Sequence, residues 1–136
     1  MEKKDTIYVG LLGLGTVGFG VYKTLKLQKD EMVRKVGSNV VIKKILVLKI
    51  ADFVSKVEDP SILTENADDI LEDPQIDVVI EVIGGTKAAF DFQKKALENG
   101  KHVVTANKDL VATRGHELLV LAEEKRLDYL FEASVA

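Results

Sequence analysis

Strand-like and helix-like segments alternate along the whole chain, which predicts an α/β protein: a parallel sheet with helices on both faces. Two observations sharpen this. The first apolar run, Ile7 to Leu12, ends in a glycine-rich turn that opens directly into a helical pattern. Further short runs rich in Val and Ile, each bounded by Gly, Pro, Asn or Asp, follow at intervals; such runs suit strands buried on both faces of a parallel sheet.

The elements can be read in order. Ile7 to Leu12 is the first strand. Thr16 to about Gln28 is a helix whose apolar stripe is Val17, Val21 and Leu25, at i, i+4 and i+8. Gly37-Ser38-Asn39 breaks the chain, and Val40 to Ile42 with Ile45 to Leu48 form a second strand, interrupted by Lys43-Lys44. Asp52 to Asn66 is irregular. Asn66 is placed to cap a short helix through Ile70-Leu71, which Asp73-Pro74 stops. Asp77 to Ile83 is the third strand, closed by Gly84-Gly85. Thr86 begins a helix that ends at Asn99-Gly100. His102 to Thr105 is the fourth strand, Thr113 to Lys125 a helix, and Asp128 to Phe131 the fifth strand. The prediction is one domain over residues 1–136: a Rossmann-type, doubly wound parallel sheet of five strands in the order 3-2-1-4-5.

Composition excludes several functions. Net charge is −3, from 19 basic and 22 acidic residues, which is not the basic footprint of a nucleic-acid binder. No apolar run is long enough to span a bilayer, and Met1-Glu2-Lys3-Lys4-Asp5 leads into the first strand without a signal-peptide pattern. There is no cysteine, hence no disulfide and no thiolate metal site. A cytoplasmic protein is expected. His102 and His116 stand at element starts without triad partners, the acidic residues around Glu58-Asp59 and from Glu65 to Asp73 read as a solvated face, and the aromatic residues are scattered as core packing scatters them.

The strand–turn–helix context gives the G-x-G-x-x-G of Gly13-Leu14-Gly15-Thr16-Val17-Gly18 its meaning. Gly13 permits a tight turn, Gly15 lets backbone approach a diphosphate, and Gly18 lets the helix pack against the strand. The helix N-terminus, at Thr16 and Val17, offers N–H groups to the anion. A glycine-rich turn that binds nothing is the plainer alternative. An acidic residue for the ribose belongs about 20 residues further on, but counting from Gly18 reaches Ser38, in a loop. At the end of the second strand Lys49 suits the 2′-phosphate of NADP, whereas Asp52 suits the ribose diol of NAD; both also read as solvated loop charges. The sequence leaves NADP or NAD open.

Four stretches together resemble the homoserine dehydrogenases: the glycine turn with "TVGFGV", "DPQIDVVIEVIGGTKAA" from Asp73 to Ala89, "ALENGKHVVTANKDLVA" from Ala96 to Ala112, and "LFEASVA" from Leu130 to Ala136. The "HVVTANK" piece is the most specific. The resemblance implies reversible, NAD(P)-dependent reduction of L-aspartate 4-semialdehyde to L-homoserine, on the route to threonine, methionine and isoleucine. It implies that Gly13 to Gly18 cradle the diphosphate, and that Ile83, Gly84, Thr86, Ala106 and Asn107 line the cofactor. Lys108 is then the catalytic lysine that reaches the nicotinamide and the substrate; a cation at the carboxyl end of a strand can polarise a carbonyl. The resemblance further implies a sodium-type monovalent cation on Glu132 and the backbone of Val135, half built within this chain, and a homo-oligomer for the full-length enzyme. The family's substrate domain lies beyond this stretch, so the chain alone is expected to be inactive. Two rival readings remain: a stand-alone NAD(H)-sensing regulatory module, and a related amino-acid-pathway dehydrogenase. Neither accounts for "VVTANKDLVA".

Overall fold

The computed structural model describes residues 5–131. Its centre is β1 (Thr6–Leu12), in which Val9, Leu11 and Leu12 are almost wholly buried. A strand hydrogen-bonded on both sides and covered on both faces has no polar face to keep, which explains the unbroken apolar run. β2 (Asn39–Leu46) and β4 (Ile76–Glu81) flank it, both parallel. β3 (Leu63–Thr64) lies outside β2, β5 (His102–Thr105) outside β4, and β6 (Tyr129–Phe131) outside β5.

Among the described residues the sheet therefore has six strands, in the order β3-β2-β1-β4-β5-β6, not the five expected. The added strand is β3, two residues from the stretch that reads as irregular. It pairs Leu63 with Ile45 and Thr64 with Leu46. The addition also moves the segment read as the third strand. Asp77 to Ile83 was expected outside the second strand, but its counterpart β4 pairs with β1, and β3 takes the outer place.

The helices differ from expectation at their boundaries. α1 (Thr16–Leu27) buries Gly18 and Tyr22 rather than the stripe through Val17 and Leu25. The rotation brings Gly18 so close to the turn that a Cβ there would sit 2.3 Å from the Gly13 carbonyl oxygen. α2 (Lys29–Val36) fills the stretch between the first predicted helix and the Gly37-Ser38-Asn39 break, for which the sequence reading gives no element; Asp30 and Glu31 open it, Arg34 and Lys35 close it, and Gly37 at φ +80° ends it. Ahead of α3 (Asp68–Leu71), Asn66 Oδ1 accepts the Asp68 N–H at 3.0 Å, as a cap does. α4 (Lys87–Glu98) ends before Gly100, at φ +81°. α5 (Lys108–Glu124) begins earlier than the Thr113 start expected, because Asn107 caps it by accepting the Leu110 N–H at 3.1 Å.

Alternation along the strands sorts side chains into two cores. Leu12, Val79 and Val103 face α3, α4 and α5 with Ile70, Leu97, Leu110 and Leu118. Leu11 and Ile45 face the other way, toward Tyr22 of α1 and the 47–63 segment. This is the two-faced architecture that the sequence predicts.

β2 runs unbroken through Lys43-Lys44. Its register against β1 slips there, Val9 facing Ile42 and Gly10 facing Lys44. Both lysines reach one acceptor, Asp73 Oδ2, at 2.6 and 3.2 Å. Buried Lys101 donates to the Asp73 and Ile76 carbonyls from the other side. Burial alone would raise the Asp73 carboxyl, but Lys43, the Gln75 N–H and Lys44 outweigh it and hold the group down at about 2. Its folded value lies below its ordinary 3.8, so the stabilisation is complete above about pH 4 and is lost as pH falls through about 2. Denaturant titration between pH 5 and 2 is expected to show a loss on the order of 2 kcal/mol from this site. Asp73→Asn should lower stability at neutral pH and flatten that acid limb.

Candidate functional site

The carboxyl ends of β1, β2, β3 and β4 open onto a cleft of about 720 Å³, the size of a small-molecule site. Its floor is Gly13, Leu14 and Gly15; one wall is Leu46, Val47, Leu48, Asp52, Phe53 and Glu65, the other Val82, Ile83, Ala88 and Phe92, and Ala67 also lines it. A smaller groove of about 320 Å³ runs beside α1 and the amino-terminal half of β2, lined by Tyr22, Lys26 and Val40 among others. It lies away from the strand ends at which open parallel sheets bind ligands.

Each glycine of the turn has its own constraint. Gly13 sits at φ +108°, a conformation open only to glycine, and a Cβ there would also crowd Ile83 Cγ2 at 2.9 Å. Gly18 has no room for a side chain against the Gly13 carbonyl. Gly15 differs. Its φ of −74° is ordinary, and a Cβ there would meet nothing within 4 Å. Nothing among the described residues requires glycine at that position.

The helix that follows is also left open. Gly15, at the N-cap of α1, has no side chain to satisfy the first-turn N–H groups, and no acidic residue lies in that turn. α5, by contrast, is capped by Asn107 and carries Asp109 in its first turn. The α1 terminus is thus left open to an anion, as is that of α4, whose Thr86 makes no side-chain cap bond and whose first turn carries no acidic residue; only the α1 terminus adjoins the glycine turn.

The structure gathers some of the expected residues and disperses others. Gly13, Gly15 and Ile83 line the cleft; Thr16, Val17 and Gly18 form the first turn of α1 beside it. Gly84 and Thr86 lie on the exposed connection from β4 to α4. Lys49 is exposed and does not line the cleft, whereas Asp52 does, with Glu65 opposite in sequence but adjacent in space: Glu65 Oε2 accepts the Ile50 N–H at 2.8 Å. Ala106 and Asn107 form the link from β5 to α5, and Asn107 Nδ2 donates to the Gly85 carbonyl at 2.5 Å. Lys108 is the first residue of α5, exposed and paired with no carboxylate among the described residues. Glu132 and Val135, expected to bind a cation, lie outside the described residues. Among the described residues no cluster of His, Asp and Glu is arranged to hold a metal ion, and no helix is long and apolar enough to cross a membrane.

Two residues escaped the sequence reading. Glu65 follows β3, and without that strand its position is invisible. Glu81, wholly buried at the end of β4, reads in sequence as one polar residue among Val and Ile.

A central βα turn with two sterically constrained glycines and a third facing open space, an uncapped helix N-terminus and a cleft at the strand ends define a dinucleotide-binding domain of the Rossmann type. Comparison with known proteins makes the class specific. Residues 13–132 match the family described as "Homoserine dehydrogenase, NAD binding domain", and the chain belongs to that family. The homoserine dehydrogenase of Bacillus subtilis is 50% identical over 131 residues, covering 96% of this chain and 30% of that protein. That of Pseudomonas aeruginosa is 40% identical over 130 residues, with the same coverage, 96% and 30%. The crystal structure of a homoserine dehydrogenase from Thiobacillus denitrificans superposes with a TM-score of 0.90 at 40% identity, over 95% of this chain and 30% of that one. The chain thus spans about 30% of the length of these relatives. The match favours the homoserine dehydrogenase reading over a sensing module.

The glycines can be tested apart. Gly15→Ala should leave the melting temperature within about 2 °C of wild type, since its Cβ enters open space, and should weaken dinucleotide binding at least roughly tenfold by occupying the diphosphate's place. Gly18→Ala should instead destabilise the fold by about 1–3 kcal/mol through overpacking. Thermal melts and ligand titration of both variants check the contrast.

Proposed function

We propose that this chain is the cofactor-binding part of an enzyme that interconverts L-aspartate 4-semialdehyde and L-homoserine in cytoplasmic amino-acid biosynthesis, and that it binds NAD(P)(H) in the cleft above Gly15. The open space over Gly15, beside an uncapped helix, is the observation that carries this reading. The relatives are dehydrogenases named for homoserine, and their similarity supports the substrate.

The groups divide the work by position. The glycine turn and the first turn of α1, through Thr16 and Val17, hold the diphosphate with backbone N–H groups. The β1–β2–β3 side takes the adenosine half and the β4–β5 side the nicotinamide half, as the two mononucleotide-binding halves of this fold do. When bound, the nicotinamide supplies the hydride. Ile83, Gly84, Thr86, Ala106 and Asn107 border that half. Lys108, next to Asn107 and without a carboxylate partner among the described residues, is placed to hold or polarise the substrate's carbonyl oxygen as negative charge grows on it. Binding of the amino-acid end of the substrate, the homo-oligomer and a monovalent cation at Glu132 and Val135 belong to the longer enzyme in this proposal.

At the adenosine end the cleft presents Asp52 and Glu65 and not Lys49. Two carboxylates favour a ribose diol, which donates hydrogen bonds, over a 2′-phosphate, which carries like charge. NADH is therefore the better ligand of the pair.

Fluorescence titration with NADH and with NADPH tests this directly. Saturable binding with NADH the tighter is expected, and Asp52→Ala should weaken NADH by roughly tenfold, about 1.4 kcal/mol. Tighter NADPH binding would overturn the Asp52 assignment, and no saturable binding by either would overturn the site. Lys108→Ala should leave the melting temperature unchanged, because an exposed lysine at a helix start adds little packing; a large drop would count against an active-site role. The isolated chain should not turn over aspartate semialdehyde, and turnover would refute the proposed need for further residues.

A further inference from the structure

β4 ends in Glu81, whose side chain has no solvent exposure. A buried carboxyl group is costly unless donors surround it. Four do. Gln93 Nε2 of α4 donates to Oε1 at 2.6 Å, and Thr105 Oγ1 of β5 donates to the same oxygen at 2.9 Å. The Ile83 N–H donates to Oε2 at 2.9 Å and the Gly84 N–H at 3.4 Å. One oxygen thus faces α4 and β5, and the other faces the loop leaving β4.

Both sides continue into further bonds. The Tyr129 hydroxyl donates to Gln93 Oε1 at 2.7 Å, which fixes the amide with its NH2 toward Glu81. Burial, with Glu81 adding to it, pushes the Tyr129 phenol up to about 12. Thr105 Oγ1 accepts the Asn107 N–H at 3.0 Å, and Asn107 Nδ2 reaches the Gly85 carbonyl. The path closes on itself: Glu81, the Gly84–Gly85 backbone, Asn107, Thr105 and back to Glu81. Asn107 also caps α5, whose first residue is Lys108.

This ring matters because of what it holds. Gly84 and Gly85 adopt φ of +78° and +70°, and a Cβ on either would meet nothing within 4 Å. Side-chain packing at these two positions therefore does not fix the loop among the described residues, and glycine has the greatest conformational freedom of any residue. Held N–H and carbonyl groups can fix it instead. Glu81 is not among the residues lining the cleft, and being wholly buried it cannot touch a ligand there.

We infer that Glu81 is a positioning residue for the nicotinamide half of the cofactor: it sets the backbone of Ile83 to Gly85 and, through Thr105 and Asn107, the first turn of α5 that carries Lys108. The inference rests on the cleft being a dinucleotide site. A carboxylate that only stabilised the sheet would affect both halves of the ligand alike; this one affects one half.

The test compares wild type, Glu81→Gln and Thr105→Val. Glutamine keeps the volume but puts an NH2 group at one end, so one pair of donors loses its acceptor. Two quantities are measured: amide hydrogen exchange in the free protein, and affinities for NADH and for ADP, which carries only the adenosine and diphosphate. In Glu81→Gln, exchange is expected to speed up together at Ile83–Gly84 and at Asn107–Leu110, while the glycine turn is unchanged. NADH affinity should fall roughly tenfold and ADP affinity change less than about twofold. Equal weakening of both ligands, or faster exchange throughout the sheet, would reduce Glu81 to a structural group and overturn the inference. Unchanged exchange and unchanged NADH affinity would overturn it too. If Glu81→Gln does not fold, Thr105→Val carries the same test, breaking only the arm to α5 and again costing NADH more than ADP. Should wild type bind neither ligand, the dinucleotide reading fails, and the positioning of the nicotinamide half falls with it. The exchange data then separate that failure from one in which wild type binds both ligands and the two loops respond independently.

Discussion

The contact between Gly18 and the carbonyl of Gly13 governs the rest of the molecule. With no side chain between them, α1 comes down onto the end of β1, and a Cβ at Gly18 would reach to 2.3 Å of that oxygen. The approach turns the α1 stripe by one residue, so Gly18 and Tyr22 are buried. It aims the N-terminus of α1 over the turn, where Gly15 leaves open space. The Gly13 N–H, bonded to the Leu46 carbonyl at 3.0 Å, ties the turn to β2, and the Val82 N–H, bonded to the Leu12 carbonyl at 3.0 Å, ties the end of β1 to the segment leaving β4. The cleft is the gap left where chains on both sides of β1 turn away after these bonds.

The sheet around that turn divides into unequal halves. On the β2–β3 side, pairing outside β2 covers only Ile45 and Leu46, and the 47–63 segment supplies most of the remaining cover through Val47, Val57 and Leu63. On the β4–β5 side, two long helices pack over Val79 and Val103. The first half offers carboxylates and loops to a ligand. The second offers strand ends joined by buried polar contacts. A dinucleotide is itself unequal, one end an adenosine and the other the reacting ring, and in the proposed orientation the half joined by buried polar contacts faces the end where position decides chemistry.

Which parts were legible in the sequence follows from which signals are local. β1, β4 and β5 announce themselves as unbroken apolar runs, and the glycine turn is a local pattern in a local context. β3 is too short for any period to register. α2 is only eight residues long and carries a short apolar stripe, Met32, Val33 and Val36; with its acidic start, basic end and closing Gly37, these are the signals that mark it. Lys43-Lys44 reads as a break because adjacent lysines suit no alternating strand, yet the register slip lets both serve Asp73, thirty residues on. In the sequence Asn107 stands inside the resemblance motif and does not read as a cap, so the predicted start of α5 falls at Thr113 instead of Lys108. Glu81 was missed altogether. Its partners, Gln93 and Thr105, are 12 and 24 residues away and become neighbours only when α4 folds back over the sheet and β5 pairs with β4.

Sites built on glycine carry a wider constraint. Glycine lets backbone adopt positive φ or lie against a ligand, but it removes the side chain by which packing would otherwise hold the segment. The protein meets this differently at its two glycine loops. At Gly13 the turn is held sterically, by Ile83 on one side and by Gly18 beneath it. At Gly84 and Gly85 a side chain would meet nothing within 4 Å among the described residues, and Glu81 of the preceding strand holds the loop through the Ile83 and Gly84 N–H groups. Only a side chain with two acceptor oxygens can take N–H groups from the loop on one oxygen while taking side-chain donors from α4 and β5 on the other. A Val or Ile would satisfy β4 as a strand and leave the loop untethered. The carboxylate at position 81 is therefore best explained by the glycines that follow it.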